Sequence, residues 1–308
     1  MSTRDLHDPE LIPLLDALPE MAFSDAALPD IRAAMTALEP PSPPLPGGVT
    51  QREVFVPGLP GEPDIRALEF IPDGENRGRM LQLHGGGMVM GRPEQCAPKN
   101  AQLAATLGLH ILAPAYRLAP EHTAPAALMD ALACLLHLAK DASPARLIVS
   151  GDSAGGGLAF STVSAAREHL SVPLALLHMV YPMLDPATGT TDCRANAKAG
   201  EFIWTRAHNR FGWSAYLEGG DAAAAHVPAA VDDLSGFPPV WIGTGSLDLF
   251  LDENLDMAKR LAARGVGVDM SVYPGAPHAF PLMAGAAVSR RFERDYAEAL
   301  ARAIERMN

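Results

Sequence analysis

Long apolar runs are missing from this 308-residue chain. Stretches such as Ala131 to Leu136 are far too short to cross a bilayer, so no transmembrane span is expected. Cysteine is scarce: Cys96, Cys134 and Cys193 are widely spaced and form no C-x-x-C pair. That spacing excludes a disulfide framework and a thiolate zinc site, and it points to a reducing compartment. The 10 histidines are scattered without an H-E-x-x-H, so a metal site is not expected. Basic residues are outnumbered, 24 against 36 acidic, which leaves a net charge of −12. A protein of this balance has no surface for tracking phosphates and no attraction to anionic lipid; neither nucleic acid nor stable membrane association is expected. Nucleotide-binding glycine patterns are absent too. Gly85-Gly86-Gly87 departs from G-x-G-x-x-G because position 90 is methionine, and nothing matches G-x-x-x-x-G-K-[ST]. Residues 1–10 are polar and acidic where a secretory signal is basic and then apolar, so the expected location is cytoplasmic.

What the chain does have is core. Hydrophobic residues make up 48% of it, enough for one large α/β domain with an accessory piece. Two short helical patterns come first, Leu11, Ile12, Leu14, Leu15 and Leu18, then Leu28, Ile31, Met35 and Leu38. Helices this short suit a flap on something larger. The proline-rich stretch Pro40 to Gly48 reads as a stiff linker. Arg52–Val56 and Ile65–Ile71 follow as antiparallel edge strands. Strands then alternate with helices: Met80–His84, Pro93–Leu107, His110–Ala115, Pro125–Ala139, the β-branched run that starts at Leu147 with the Ala-rich helix after it, and Leu174–Tyr181. This rhythm means βαβ units and a mainly parallel sheet flanked by helices. It breaks between Asp185 and Phe237, where Phe202, Ile203, Trp204, Phe211, Trp213 and Tyr216 sit in a strandless stretch that suits a helical lid, or cap. It resumes with Pro239–Gly243, Asp252–Arg264 and Val268–Tyr273. The chain closes with a helix marked by Val288, Phe292, Tyr296, Leu300 and Ile304. The expected division is 1–50 as cap and linker, 51–184 and 237–308 as the two parts of the core, and 185–236 as the cap insertion.

The chemistry gathers around Gly151-Asp152-Ser153-Ala154-Gly155, which fits G-x-S-x-G. A β-branched run ends there and an Ala-rich helix begins. So sharp a turn strains the backbone of the central serine and leaves no room for bulky neighbours, a need that Gly151 and Gly155 meet. Taken alone, the pentapeptide is equally a Gly/Ser-rich βα turn without chemistry. A serine nucleophile requires a base, a carboxylate to orient that base, and fixed N–H donors for the oxyanion. His278, in Pro277-His278-Ala279, follows a strand and supplies the base. Asp248, just past the strand Pro239–Gly243, supplies the acid. Asp252 competes for that role but fits the start of the next helix. Ala154 at the helix start, with Gly86 and Gly87 after the strand Met80–His84, supplies the donors. Met88 and Met90 adjoin this glycine loop as wall packing, or as the lining of a pocket. The order Ser153, Asp248, His278 is nucleophile, acid, base.

With His84-Gly85-Gly86-Gly87, Tyr116 to His122, Gly151 to Gly155, Tyr181-Pro182 and the Asp248 and His278 segments, the chain resembles the hormone-sensitive-lipase-like bacterial carboxylesterases of the α/β-hydrolases. The likeness runs from about Arg52 to the C-terminus. It implies the same triad (Ser153, Asp248, His278) and the same oxyanion donors (Gly86, Gly87, Ala154), no cofactor, a helical cap and a mainly structural role for Tyr116 to His122. The expected partner is a small-molecule ester, and a homodimer is compatible with the resemblance. Two positions depart from the family pattern. Leu249 replaces the usual proline after the acid, and Ala279 the usual glycine after the base. Both add bulk near the catalytic loops, which bears on pocket width and acyl preference. The expected reaction is hydrolysis of short- to medium-chain carboxylic esters through an acyl-enzyme. An amidase, thioesterase or lactonase would use the same residues, and a non-catalytic ligand-binding protein on this scaffold is the reading from another class.

Overall fold

The computed structural model describes residues 2–17, 21–37, 43–140, 146–167, 170, 174–190, 196–221 and 223–307; Leu18, Leu38, Cys193 and the first residues of the proline-rich linker lie outside them. The strands are β1 (Val49–Val56), β2 (Ile65–Pro72), β3 (Gly78–Leu83), β4 (Leu109–Pro114), β5 (Leu147–Asp152), β6 (Leu176–Val180), β7 (Val240–Gly245) and β8 (Val268–Tyr273). They form one sheet in the order β1-β2-β4-β3-β5-β6-β7-β8. Every neighbouring pair from β4 to β8 is parallel, while β2 runs against both β1 and β4.

Parallel strands must be covered on both faces, so their residues are apolar at successive positions rather than at alternate ones. That is the pattern of β5, β6 and β7, none of which has an exposed residue. The helices are α1 (Ile12–Ala17), α2 (Leu28–Ala37), α3 (Ala97–Leu107), α4 (Ala126–Ala139), α5 (Ala154–Ala166), α6 (Arg206–Leu217), α7 (Leu251–Ala263) and α8 (Ala287–Arg306). The cores of α4, α5 and α7 share one apolar cluster with the sheet, and those of α3 and α8 share the other. Helix α5 is buried along its whole length, as expected of a helix apolar on every side. In α8 the four-residue series from Val288 to Ile304 is the buried stripe.

Residues 185–236 contain α6 and, among the described residues, no strand. Thr205 opens α6 by accepting a hydrogen bond from the His208 N–H at 3.3 Å. The N-terminal segment interlocks with this insertion. The Thr3 N–H and hydroxyl both donate to Glu201 at 2.6 Å. Phe23 packs against His208, Phe211 and Trp204 at 4.8, 5.6 and 5.9 Å between ring centres. The two pieces thus form one helical cap, which is held to the core by Arg32 of α2. Its guanidinium donates to the Val89 and Ala119 carbonyls at 2.7 and 2.9 Å and pairs with Glu121 at 2.7 Å. Among the described residues no helix is long and apolar enough to cross a membrane.

Candidate active site

Open parallel sheets expose their sites beyond the carboxyl ends of the strands. Here the loops after β3, β5, β7 and β8 bring Gly86 and Gly87, Ser153, Asp248 and His278 to that rim. Ser153 has φ +57° and ψ −119°, outside the regions that a residue with a side chain normally occupies. The surroundings hold it there. Its N–H donates to the Val180 carbonyl at 2.8 Å, and its own carbonyl accepts from Gly156 and Met183 at 2.9 and 3.0 Å. A Cβ on Gly151 would run into the Gly155 carbonyl, and one on Gly155 into the carbonyls of Leu83 and His84. Both glycines are therefore demanded by backbone contact, which is the steric reason for the motif.

The three side chains meet. His278 Nδ1 lies 2.8 Å from Asp248 Oδ2, and His278 Nε2 lies 3.0 Å from Ser153 Oγ. A carboxylate only accepts, so Nδ1–H is the donor there and Nε2 is left to accept from the serine hydroxyl. Asp248 is fully buried, and its second oxygen accepts from the Phe250 N–H at 2.9 Å. Ser153 and His278 are each 6% exposed. The imidazole is fenced by Tyr181 at 4.5 Å, Phe250 at 5.3 Å and Trp204 at 6.4 Å between ring centres. Asp252 stands apart: it lies in the first turn of α7, whose N-cap is Phe250, and its carboxylate accepts from the Asn196 N–H at 2.6 Å.

Gly86 and Gly87 have φ of +126° and +62°, backbone that favours glycine. A Cβ on Gly86 would strike the Met90 carbonyl, and one on Gly87 the indole of Trp204. Among the described residues the N–H groups of Gly86, Gly87 and Ala154 donate to no protein acceptor. The loop is braced from behind by His84, whose Nδ1 lies 2.8 Å from the Gly85 carbonyl and whose ring stacks on Tyr116 at 4.2 Å. Burial pulls the His84 imidazole down to about 4, so it is neutral, with Nδ1–H as donor to the carbonyl. The Tyr116 hydroxyl donates to the His84 carbonyl at 2.7 Å, and Arg117 pairs with Glu62 and Asp130 at 2.6 and 2.7 Å. The Tyr116 segment is structural in that sense.

Other residues at the site carry no motif. Asp152, next to the serine, is half-buried, and desolvation pushes its carboxyl up to about 6. Glu253 of α7 is also raised by burial; it accepts from the Leu184 N–H at 2.6 Å and from the Thr188 hydroxyl. The Thr188 carbonyl accepts from Asn209 at 2.7 Å, and Asn209 accepts from the Trp204 indole at 3.3 Å. A polar chain therefore runs from α7 to the indole that covers Gly87. Of its members only Trp204 stands out in the sequence, through the aromatic insertion. On the Ala154 side of the serine lies a cavity with about 10 Å³ of free volume, walled by Met88, Leu158, Met183, Trp213, Tyr216 and Val227 among others. Of the two methionines beside the glycine loop, Met88 lines this cavity and Met90 does not.

Residues 80–282 match the family of the alpha/beta hydrolase fold. The chain belongs to that family. A carboxylesterase of Mycobacterium tuberculosis, NlhH, is 29% identical over 89% of this chain and 88% of its own. An acetyl-hydrolase of Streptomyces hygroscopicus is 30% identical over 68% of this chain and 71% of its own. Among solved structures, a bacterial heroin esterase superposes with a TM-score of 0.86 at 33% identity, covering 98% of this chain and 99% of its own. An esterase of the bacterial hormone-sensitive lipase family does so with 0.77 at 27% identity, covering 96% and 99%. This α/β-hydrolase is thus an ester-hydrolysing enzyme of the hormone-sensitive-lipase-like branch.

Proposed function

We propose that the protein is a serine carboxylesterase for small esters with short- to medium-chain acyl groups, working through an acyl-enzyme. The observation that carries this reading is the unbroken hydrogen-bonded line from Asp248 through His278 to Ser153, at 2.8 and 3.0 Å. Ser153 Oγ attacks the ester carbonyl as its proton passes to His278 Nε2. Asp248 holds the ring in the tautomer that can accept that proton and stabilises the imidazolium that results. The developing oxyanion takes hydrogen bonds from Gly86, Gly87 and Ala154, where losing one donor costs about 100–1,000-fold in rate. The imidazolium returns its proton to the departing alkoxide, and the alcohol leaves. Water, activated by the same imidazole, then releases the acid and frees the serine.

The cavity beside Ala154 is not lined by His278, and this reading seats the acyl group of a carbonyl held by these amides there. Its small volume supports short acyl groups. The net charge of −12 supports a soluble ester rather than a lipid surface as substrate, and the unpaired thiols of Cys96 and Cys134 support a reducing, cytoplasmic setting. A fluorophosphonate tests the assignment. It is expected to label the wild type irreversibly at Ser153 and to leave Ser153→Ala unmodified. Folded wild type that resists labelling would overturn the reading in favour of a non-catalytic binding protein.

A further inference from the structure

The cavity beside Ala154 is mostly apolar, and the polar side chains among its lining are Ser161, Trp213 and Tyr216. Trp213 and Tyr216, one turn apart on the same face of α6, line it, and they are only 6% and 3% exposed. Among the described residues the Trp213 indole N–H and the Tyr216 hydroxyl have no hydrogen-bond partner. Buried indole N–H and phenol groups ordinarily find a partner, because an orphaned donor carries its full desolvation cost. Phenylalanine at either position would close the cap over the cavity without that cost. Ser161, on the same wall, differs in being satisfied: its hydroxyl bonds the Gly157 and His226 carbonyls. Burial also pushes the Tyr216 phenol up, so it stays a donor throughout the neutral range.

We propose, resting on the esterase reading above, that this cavity selects acyl groups with a second oxygen (ether, carbonyl or hydroxyl) a few atoms beyond the scissile carbonyl, held by Trp213 Nε1–H and Tyr216 O–H. The free volume is about that of a single water, and two donors suffice to hold one. A plain alkyl chain entering the cavity displaces such a water without replacing its hydrogen bonds, whereas an oxygen in the chain restores them. Sites built to bond a substrate's polar group discriminate against analogues that lack it. The bond broken and the groups that break it are those of the simple ester.

The test uses p-nitrophenyl esters in pairs of equal chain length, methoxyacetate against butyrate and 3-methoxypropanoate against pentanoate. The readout is the ratio of kcat/KM, oxygenated over plain, in wild type, Tyr216→Phe and Trp213→Phe. Comparing ratios between proteins cancels the intrinsic reactivity of each ester. In at least one pair the ratio is expected to fall about tenfold in one or both variants, the effect of one buried hydrogen bond. Fluorophosphonate labelling of Ser153 verifies that each variant is folded, and either variant suffices for the comparison. Equal ratios in wild type and the folded variants for both pairs would overturn the inference while leaving the esterase reading intact. Undiminished turnover in Ser153→Ala, or no turnover of any of the four esters by folded wild type, would instead overturn the esterase reading itself.

Discussion

Ala279, directly after His278, sits at φ +53°. The sequence comparison with the family pattern flags this position for added bulk, but the structure shows that conformation is the larger matter. A Cβ in the left-handed region costs about 1–2 kcal/mol. The extra entropy of a glycine in the unfolded chain offsets about 0.4–1 kcal/mol of the relief. Ala279→Gly is therefore expected to stabilise the protein by about 0.5–1 kcal/mol on these figures, read from urea denaturation; a lower midpoint would contradict this account of the loop. Leu249, the other departure, is buried against Gly200 of the cap, where a Cβ would lie 2.7 Å from its side chain, and its bulk is taken up in that contact. Such outcomes depend on φ and on partners far along the chain, neither of which a residue type reveals.

Among the elements, β5 and α5 with the turn between them were legible because their signals are local. A buried β-branched run, two glycines demanded by backbone contact and an Ala-rich helix all fall within one short stretch. The start of α7 was harder to read. Asp252 resembles a helix-starting residue, yet it is Asp248 whose carboxylate accepts the Phe250 N–H there, while Asp252 reaches to Asn196. The contribution of α2 was not legible beyond its amphipathic pattern, because its key residue acts across the fold. Arg32 grips the Val89 carbonyl, and Val89 N–H in turn bonds the Gly86 carbonyl at 3.1 Å, so α2 braces the glycine loop from outside. Displacements of about 1 Å in such a loop cost on the order of 100-fold in rate. Arg32→Met is expected to lower kcat/KM at least about tenfold while the protein still folds, as measured by steady-state kinetics beside circular dichroism. Unchanged kinetics would show that the loop holds its shape without α2.

At the scale of the whole molecule, the alternation of strands and helices predicted the mainly parallel sheet and the rim at which Ser153, Asp248 and His278 meet. What that pattern could not show is how the cap closes over the rim. The chain of contacts from Glu253 through Thr188 and Asn209 to Trp204 links α7 to the cap by side chains with no common spacing. The polarity of the Trp213 and Tyr216 tips gains meaning only from their being buried and, among the described residues, without a hydrogen-bond partner. The central claim is the proposal that Ser153, oriented through His278 and Asp248, cleaves small esters with short- to medium-chain acyl groups. Its most direct test is hydrolysis of p-nitrophenyl esters with two to sixteen acyl carbons by wild type and Ser153→Ala. Rates that peak at a short chain and vanish in the variant are predicted. Activity that survives without Ser153, or that is greatest on the longest chains, would contradict the account.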